Sequence, residues 1–587
     1  MGLRTTRVPS LDNEHVPRVK PRQFFPFLDW LPSYSRADWR GDWPAGVTVG
    51  IMLIPQGMAY AMIAGLPVVY GLYAALLPQI VYGFTGTSRH LAVGPVAMDS
   101  LLVAAGLTGL AMVGSDNYIA LALLLALMMG AIQLTMGMLR MGFLVNFLSR
   151  PVISGFTTAA AAIIGLNQLP NLLGITLEKS NQLQVLLNAL VQALPSVHFP
   201  TLAIGILAIG SLAALKKWVP KVPAALIVVV LSIASSWMFD FESIGIRVVG
   251  DIPEGLPHFD IPIVSLEHIQ SLLPTALTLS LVAFMEAFSV AKAIQDRHGY
   301  HVDANQELRA LGLANIAGSM LQSYPTTGGF SRTAVTDQSG GKTPVTAWIS
   351  AGIVGLTLLV LTPLFYHLPN AVLASIVMVA VYGLVDLKYP RTLWKQDRLE
   401  TSILLVTVLV TLTLSLPLGI GVGIILSIAL VVHRMMHPHV AVLGNVQGVF
   451  RNVERFTDAK TSDDVLVVRY DGALNFANQA HFRTTLGQLV QTKGDKLKLI
   501  ILQADTLPYI DASARATIRG MILDWRSQGV QLCMAGAIGP VRDALASGGL
   551  LESGEVCFRL NVHQAMEEYN APGTMPQSLK DLARQHQ

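Results

Sequence analysis

One stretch in the second half of the chain combines residue types that can hold an anion. Residues 330–342 read FSRTAVTDQSGGK and lie among apolar segments, where a lipid-facing helix would not tolerate an arginine and several glycines. We predict that Gly329 ends an extended approach and that Phe330, Ser331 and Arg332 form the first turn of a short helix. Such a turn directs unpaired backbone N–H groups and a guanidinium at one point, so the stretch predicts an anion site.

Two other interpretations of this stretch are less favoured. Arg332 could be an interfacial arginine whose side chain extends to the lipid headgroups. The ending Gly-Gly-Lys-Thr resembles a nucleotide-binding P-loop, but the first glycine of that motif would fall at Thr336. The nucleotide-binding interpretation therefore fails.

The elements that position this stretch are membrane spans. The chain has 587 residues, of which 52% are hydrophobic and only 13% are charged, a composition typical of a polytopic membrane protein. Residues 1–40 are polar and basic, have no signal-peptide core, and are expected to stay in the cytoplasm. The apolar runs predict fourteen spans, near residues 43–62, 68–84, 92–112, 118–138, 151–168, 200–215, 223–239, 272–291, 308–322, 330–338, 345–365, 371–386, 400–415 and 419–433.

The third and tenth spans are broken at their starts by glycine and proline, and each is third in a set of seven. Because seven is odd, a second set enters the membrane in the opposite orientation, which indicates an inverted repeat. We expect Gly94 and Pro95 to open the first half-helix, with proline at its first position. The two half-helices would then meet near the midplane, with their positive ends facing one site.

The basic residues indicate the orientation of the spans. With a cytoplasmic N-terminus, fourteen lysines and arginines between the spans fall in cytoplasmic loops, whereas only Lys179 and Arg247 fall in outer loops. The net charge of +3 is too small to indicate a nucleic-acid partner. The expected location is the plasma or inner membrane, with both termini cytoplasmic.

Four motifs resemble the sulfate permease (SulP) family of anion transporters: IPQGMAYA at 54–61, PVVYGLYAALLPQIVYGFTGTSRHLAVGPVA at 67–97, ELRALGLANIAGS at 307–319 and TGGFSRTAV at 327–335. The resemblance implies an all-α membrane domain of fourteen spans in two inverted seven-span repeats. It further implies a core and gate like those of uracil permeases, a homodimer, and a cytoplasmic STAS domain. The anion would lie between the starts of the third and tenth spans. Its implied ligands are Gln56, Gly94, Pro95, Val96, Ala97, Gly329, Phe330, Ser331 and Arg332.

Two intramembrane carboxylates bear on the driving force. Glu286 lies in the middle of the eighth span, where an unpaired charge costs a few kcal/mol or more, so we expect it to have a partner. It is either a proton or cation site, which we favour, or a counter-ion to Arg332. Asp99 lies one turn into the third span and departs from the family pattern. It is a second coupling site or, slightly favoured, a group that fixes helix packing.

The chain changes character near residue 438. Short β-branched runs alternate with amphipathic patterns over 438–570, which predicts a small α/β domain that resembles STAS domains at 509–514. In related regulatory domains a phosphorylated serine follows the aspartate of this motif, but here Ala512 follows Asp511, and we expect Ser513 to cap the helix. We expect Cys533 and Cys557 to be free thiols. Residues 41–437 are the predicted transport domain and 571–587 a tail.

These features favour a secondary active transporter of a small inorganic anion. Sulfate with proton symport, in an elevator-type mechanism, is the first choice; sodium-coupled bicarbonate symport or dicarboxylate transport are the alternatives. A hypothesis of another class is a membrane anion sensor or scaffold that signals to a cytosolic partner through the STAS domain. No nucleophile, base and orienting group occur together in that domain, so an enzyme is not expected, and neither a cofactor nor a metal is implied.

Overall fold

The computed structural model describes residues 25–147, 149–176, 183–219, 223–262, 265–547, 550 and 556–571. Most of the predicted N-terminal segment and C-terminal tail, together with Lys179 and Lys221, lie outside the described residues. By its internal contacts the chain divides into two units, residues 1–427 and 428–587.

The first unit is helical. Its helices are α1 (Phe27–Trp30), α2 (Arg36–Ala64), α3 (Val69–Ala74), α4 (Leu77–Thr85), α5 (Ala97–Leu107), α6 (Asp116–Met138), α7 (Arg150–Leu173), α8 (Leu183–Ala193), α9 (Phe199–Trp218), α10 (Ala224–Phe239), α11 (Leu266–His298), α12 (Ala304–Ser319), α13 (Phe330–Gln338), α14 (Val345–Leu356), α15 (Asn370–Tyr382), α16 (Lys388–Gln396), α17 (Arg398–Thr413) and α18 (Leu416–Met436), the last running on into the second unit. Two short strands, β1 (Val93–Gly94) and β2 (Thr327–Gly328), precede α5 and α13.

These helices form a multi-pass membrane fold. Within the described residues, seven helices are long and apolar enough to cross a bilayer, and four apolar helices are shorter. Each of the fourteen predicted spans falls on one or two of the helices, and the third and tenth are the short helices α5 and α13. Around them α6 packs against α12, and α2 packs against α14. Both half-helices pack against the long helices α2 and α11.

One predicted helix start was wrong. We expected Gly94 and Pro95 to open the third span, but α5 begins at Ala97 after an extended Val96. Gly94 is instead paired with Thr327 across β1 and β2, which keeps the backbone extended to this point. The helix can begin only after that pairing ends.

The second unit is an α/β domain with a six-stranded sheet. The strands lie in the order β4 (Val449–Asn452), β3 (His439–Val446), β5 (Val465–Asp471), β6 (Leu499–Gln503), β7 (Gln531–Ala535) and β8 (Val556–Arg559). β5 to β8 are parallel, whereas β3 is antiparallel to both of its neighbours. The helices are α19 (Gln479–Lys493), α20 (Ala512–Ser527), α21 (Gly539–Ala546) and α22 (Val562–Asn570). A buried cluster that includes Val468, Leu486 and Ile518 joins the sheet to α19 and α20.

Two expectations for this unit were wrong. The helix α20 is capped by Asp511, whose side chain accepts a hydrogen bond of 2.8 Å from the N–H of Ala514, so Ser513 is not its cap. Cys533 and Cys557 are not free thiols but form a disulfide. They are direct partners in the register of the parallel strands β7 and β8, with Cα atoms 4.4 Å apart, a proximity that spacing along the chain does not reveal.

Candidate functional site

The two half-helices are joined at their starts by a short antiparallel pairing. Val93 lies opposite Gly328, and Gly94 lies opposite Thr327. The N–H of Gly329 donates to the carbonyl of Ala92 at 3.0 Å, which extends the contact. The two extended segments that precede the half-helices are thus paired with each other, and this pairing fixes the position of α5 relative to α13.

Both half-helices begin without a side-chain cap. The N-cap residues are Val96 for α5 and Gly329 for α13, and neither supplies a side-chain hydrogen bond. The first N–H groups of an α-helix have no partner within the helix, and they carry the positive end of its dipole. The two starts therefore offer donors to a ligand, as the sequence predicted for Phe330 to Arg332.

Arg332 is the buried cation of the site. Its side chain is 1% exposed, and Nη1 donates to the carbonyl of Pro95 at 2.7 Å. Nε and Nη2 have no hydrogen-bond partner in the structure. A buried guanidinium with free donors is well suited to a tetrahedral or planar oxyanion, because it provides charge and directed N–H groups together.

The space beside Arg332 is a cavity of about 960 Å³. Eight of the predicted site residues line it: Gln56, Val96, Ala97, Glu286, Gly329, Phe330, Ser331 and Arg332. Gln56 is nearly buried, and its Oε1 has no partner. The remaining three, Gly94, Pro95 and Asp99, do not line the cavity. Pro95 contributes through the carbonyl that holds Arg332, rather than as a wall.

The two carboxylates occupy different environments. Glu286 lines the cavity, and its Oε2 is buried without a partner. Both residues are described, yet no ion pair within 4 Å joins Glu286 to Arg332. Asp99 is fully buried, and neither of its oxygens has a hydrogen-bond partner. Asp99 lies close enough to Glu286 for their charges to interact, and Glu286 lies close enough to Arg332 for the same reason.

A third buried carboxylate, that of Glu307, shapes the approach to β1. Glu307 on α12 accepts hydrogen bonds from the hydroxyl of Tyr82 at 2.6 Å, from the N–H and hydroxyl of Thr87 at 2.7 and 2.5 Å, and from the N–H of Ser88 at 3.2 Å. Four donors compensate for the burial of this group. Glu307 thereby holds the loop that leads into the first half-helix, a role that the motif at 307–319 did not reveal by itself.

Two tyrosines in the site were missed by the sequence analysis. Tyr60 lines the cavity one helical turn after Gln56, so the spacing of four residues within IPQGMAYA was the available signal. Tyr324 is fully buried, and its hydroxyl lies 3.0 Å from that of Ser100. This contact ties the approach of α13 to α5 and could not be inferred from residues 224 positions apart.

Comparison with known proteins identifies both units. Residues 39–407 match the model of the sulfate permease family, and residues 457–565 match the STAS domain. The chain belongs to the sulfate permease family. It is 36% identical to sulfate transporter 4.1, chloroplastic, of Arabidopsis thaliana, over 92% of this chain and 82% of that protein. It is 32% identical to a probable sulfate transporter of Mycobacterium tuberculosis, over 92% of this chain and 96% of that protein.

Solved structures agree with this sulfate permease fold. Murine solute carrier 26 family member A9, an anion transporter described in the inward-facing state, matches with a TM-score of 0.88 and 25% identity, over 97% of this chain and all of that chain. The transmembrane domain of a cyanobacterial bicarbonate transporter has the same fold, with a TM-score of 0.59 and 23% identity, over 67% of this chain and 98% of the other. This sulfate permease is thus a multi-pass anion transporter with a STAS domain, and not an enzyme.

Proposed function

We propose that this protein is a secondary active transporter of sulfate, driven by proton symport in an elevator-type mechanism. The observation that carries the proposal is the meeting of two uncapped half-helices at a buried arginine with two unpartnered donor atoms, beside a cavity of about 960 Å³. An oxyanion satisfies these donors and neutralises the charge of Arg332 in a way that a neutral solute cannot.

Sulfate is the first choice of substrate on two grounds. The relatives that cover most of the chain carry the name sulfate transporter. Sulfate also presents four oxygens, enough to accept from the starts of both α5 and α13, from the guanidinium of Arg332 and from the hydroxyl of Ser331 at once. A smaller monoanion such as bicarbonate would leave part of this donor set unpaired, which lowers its affinity.

Glu286 is the proposed proton site. A buried carboxylate oxygen without a hydrogen-bond partner is costly when charged, so binding a proton relieves that cost. Its position on the cavity wall lets the same group affect the anion, because the charge of Glu286 repels a nearby dianion until it is neutralised. Sodium at this carboxylate is the alternative for the coupling ion.

The residues that line the cavity support an inward-facing state. Its walls include Lys216, Pro223, Gln338 and Ser339, which lie at the ends of α9, α10 and α13. The excess of basic residues in the loops predicts that this face is cytoplasmic. The proposal places the protein in the plasma or inner membrane as a homodimer, with a transport domain at 41–437 and a STAS domain at 438–570 that is open to a cytosolic partner.

The test is uptake of labelled sulfate into proteoliposomes, first with an inward proton gradient and then with a sodium gradient, for wild type and Glu286→Gln. We expect proton-stimulated uptake in the wild type and its loss in the variant, with sulfate binding retained. Sulfate uptake that is stimulated by the sodium gradient alone would identify sodium, and not the proton, as the coupling ion.

Flux of bicarbonate or a dicarboxylate in place of sulfate would overturn the proposal that sulfate is the substrate. Sulfate binding without flux of any anion would overturn transport itself and favour a sensor that acts through the STAS domain. Binding is measured on the same preparations, so that a missing flux is distinguished from a misfolded protein.

A further inference from the structure

A cluster outside the anion site brings together two histidines and an aspartate from three elements. His90 lies in the loop before β1, His298 is the last residue of α11, and Asp337 is near the end of α13. One ligand atom of each lies within 4.8 Å of the others. The rings of His90 and His298 are stacked, with centroids 4.4 Å apart, so the partly exposed ring of His298 must turn for both imidazoles to reach one ion. We propose that His90, His298 and Asp337 form a binding site for a divalent transition-metal ion of the zinc class.

The first support for the site is an unpartnered nitrogen. His90 is 4% exposed, and its Nε2 is buried without a hydrogen-bond partner. The backbone of Gly341 also approaches this ring, but without the geometry of a hydrogen bond to Nε2. A metal ion binds the neutral imidazole through a ring nitrogen that is not already engaged, which Nε2 of His90 provides.

The second support is that the other atoms of two ligands are already held. The Nδ1 of His90 lies 3.1 Å from the hydroxyl of Tyr300, which orients the ring and leaves Nε2 free. Oδ2 of Asp337 accepts a hydrogen bond of 3.1 Å from Nη1 of Arg297. Oδ1 of Asp337 lies 2.7 Å from Nε2 of His298. A metal ion would take the place of the proton between His298 and Oδ1. Outer partners of this kind fix the ligands of metal sites in proteins.

The donor set determines the class of ion. Two imidazole nitrogens and one carboxylate oxygen are ligands for Zn²⁺ and its neighbours, with a fourth position left for water. Mg²⁺ and Ca²⁺ prefer oxygen ligands alone and are not expected to bind. The charge of Arg297 opposes a cation, but its side chain is 66% exposed, so solvent screens that repulsion.

The position of the cluster gives the site a role. Asp337 follows Arg332 by five residues, about 7.5 Å along the axis of α13. A bound ion would therefore link the end of the second half-helix to the loop that leads into the first and to the end of α11. The expected effect is a more rigid region around the anion site.

The experiment titrates Co²⁺ and Zn²⁺ into the full-length purified protein carrying no polyhistidine tag. We expect one site with the visible absorption of tetrahedral Co²⁺, displacement of Co²⁺ by Zn²⁺, no response to Mg²⁺, and a rise in unfolding temperature with Zn²⁺. The variants His298→Gln and Asp337→Asn should each weaken Zn²⁺ binding at least tenfold and abolish the rise. Both change side chains that reach solvent, so the variants are expected to fold.

Two control variants separate this site from other histidines. His301→Gln changes an exposed histidine three residues beyond His298 and should bind Zn²⁺ as the wild type does. His437→Gln tests a second group, because the ring of His437 lies near those of His433 and His481. Absence of Co²⁺ or Zn²⁺ binding would overturn the proposal. So would binding that survives in His298→Gln and Asp337→Asn, or that is lost in His437→Gln.

Discussion

The half-helices α5 and α13 start with the same backbone arrangement, but their first turns carry ionisable side chains of opposite type, an acid in α5 and a base in α13. Each follows a two-residue strand and an extended N-cap residue, and each lacks a side-chain cap. The first turn of α13 carries Arg332, whereas the first turn of α5 carries Asp99, which is buried away from the cavity. The two helix starts thus supply two sets of backbone donors, and of these two first turns only that of α13 carries a fixed positive charge.

The largest effect is expected from removing that charge. Arg332→Ala should weaken sulfate binding by about 10- to 100-fold, because a hydrogen bond to a charged group contributes about 1.5–3 kcal/mol. Arg332→Lys should recover only part of the affinity, since an ammonium cannot hold the carbonyl of Pro95 and the anion with the same planar geometry. The measurement is calorimetric titration with sulfate. Arg247→Ala, at an exposed position, is the control. Wild-type affinity in Arg332→Ala would remove Arg332 from the site.

A pair of glycine variants tests the extended segments that lead to the two helix starts. A Cβ at Gly329 would lie 2.6 Å from the guanidinium of Arg332, whereas a Cβ at Gly94 would lie 3.5 Å from Nη2, which is an ordinary contact. Gly329→Ala should displace the arginine and lower sulfate affinity about tenfold, the cost of roughly one such hydrogen bond. Gly94→Ala should have a smaller effect. Equal losses would mean that the two starts contribute alike.

The two carboxylates should differ in their effect on coupling. Asp99→Asn should retain proton-stimulated sulfate uptake, because Asp99 does not reach the cavity and asparagine keeps its shape. Glu286→Gln should lose that stimulation. The number of protons moved per sulfate, obtained from the reversal potential of wild type and Asp99→Asn, provides the check. A lower number in Asp99→Asn would make Asp99 a second proton site.

The smallest effect concerns a helix that is capped. At the start of α20 the side chain of Asp511 occupies the place that we propose the anion takes at α5 and α13. Asp511→Ala should lower the free energy of unfolding of the second unit by about 1 kcal/mol, the usual value of an N-cap. Ser513→Ala should change it little. Thermal unfolding followed by calorimetry compares the two variants, and sulfate affinity should be unaffected in both. A larger loss in Ser513→Ala would contradict the assignment of the cap.

The sequence was most informative where periodicity and composition decide the structure. Apolar runs predicted spans that fall on helices, and the Gly-Gly-Phe-Ser-Arg segment correctly predicted the start of α13 at Phe330. The alternating pattern over 438–570 also predicted an α/β domain, and its strands β5, β6 and β7 are short β-branched or aliphatic runs. In these places local residue preferences and the final fold agree.

The predictions were wrong or incomplete where contacts between residues far apart in the sequence determine the structure. The pairing of Gly94 with Thr327 delays the start of α5, and no local pattern signals it. His298 ends α11 and contacts Asp337, 39 residues away, a contact that no local pattern predicts. Cys533 and Cys557 meet only because their strands are neighbours. The roles of Glu307 and Tyr324 likewise depend on partners more than 200 residues away.

The pairing of β1 with β2 also bears on the energetics of release. Hydrogen bonds between the strands, together with the one from Arg332 to Pro95, make the donors on both half-helices parts of one body. In the proposed elevator mechanism this body crosses the membrane intact. The anion should then contact the same donors whichever compartment the site faces, so its release should not require any hydrogen bond within the body to break.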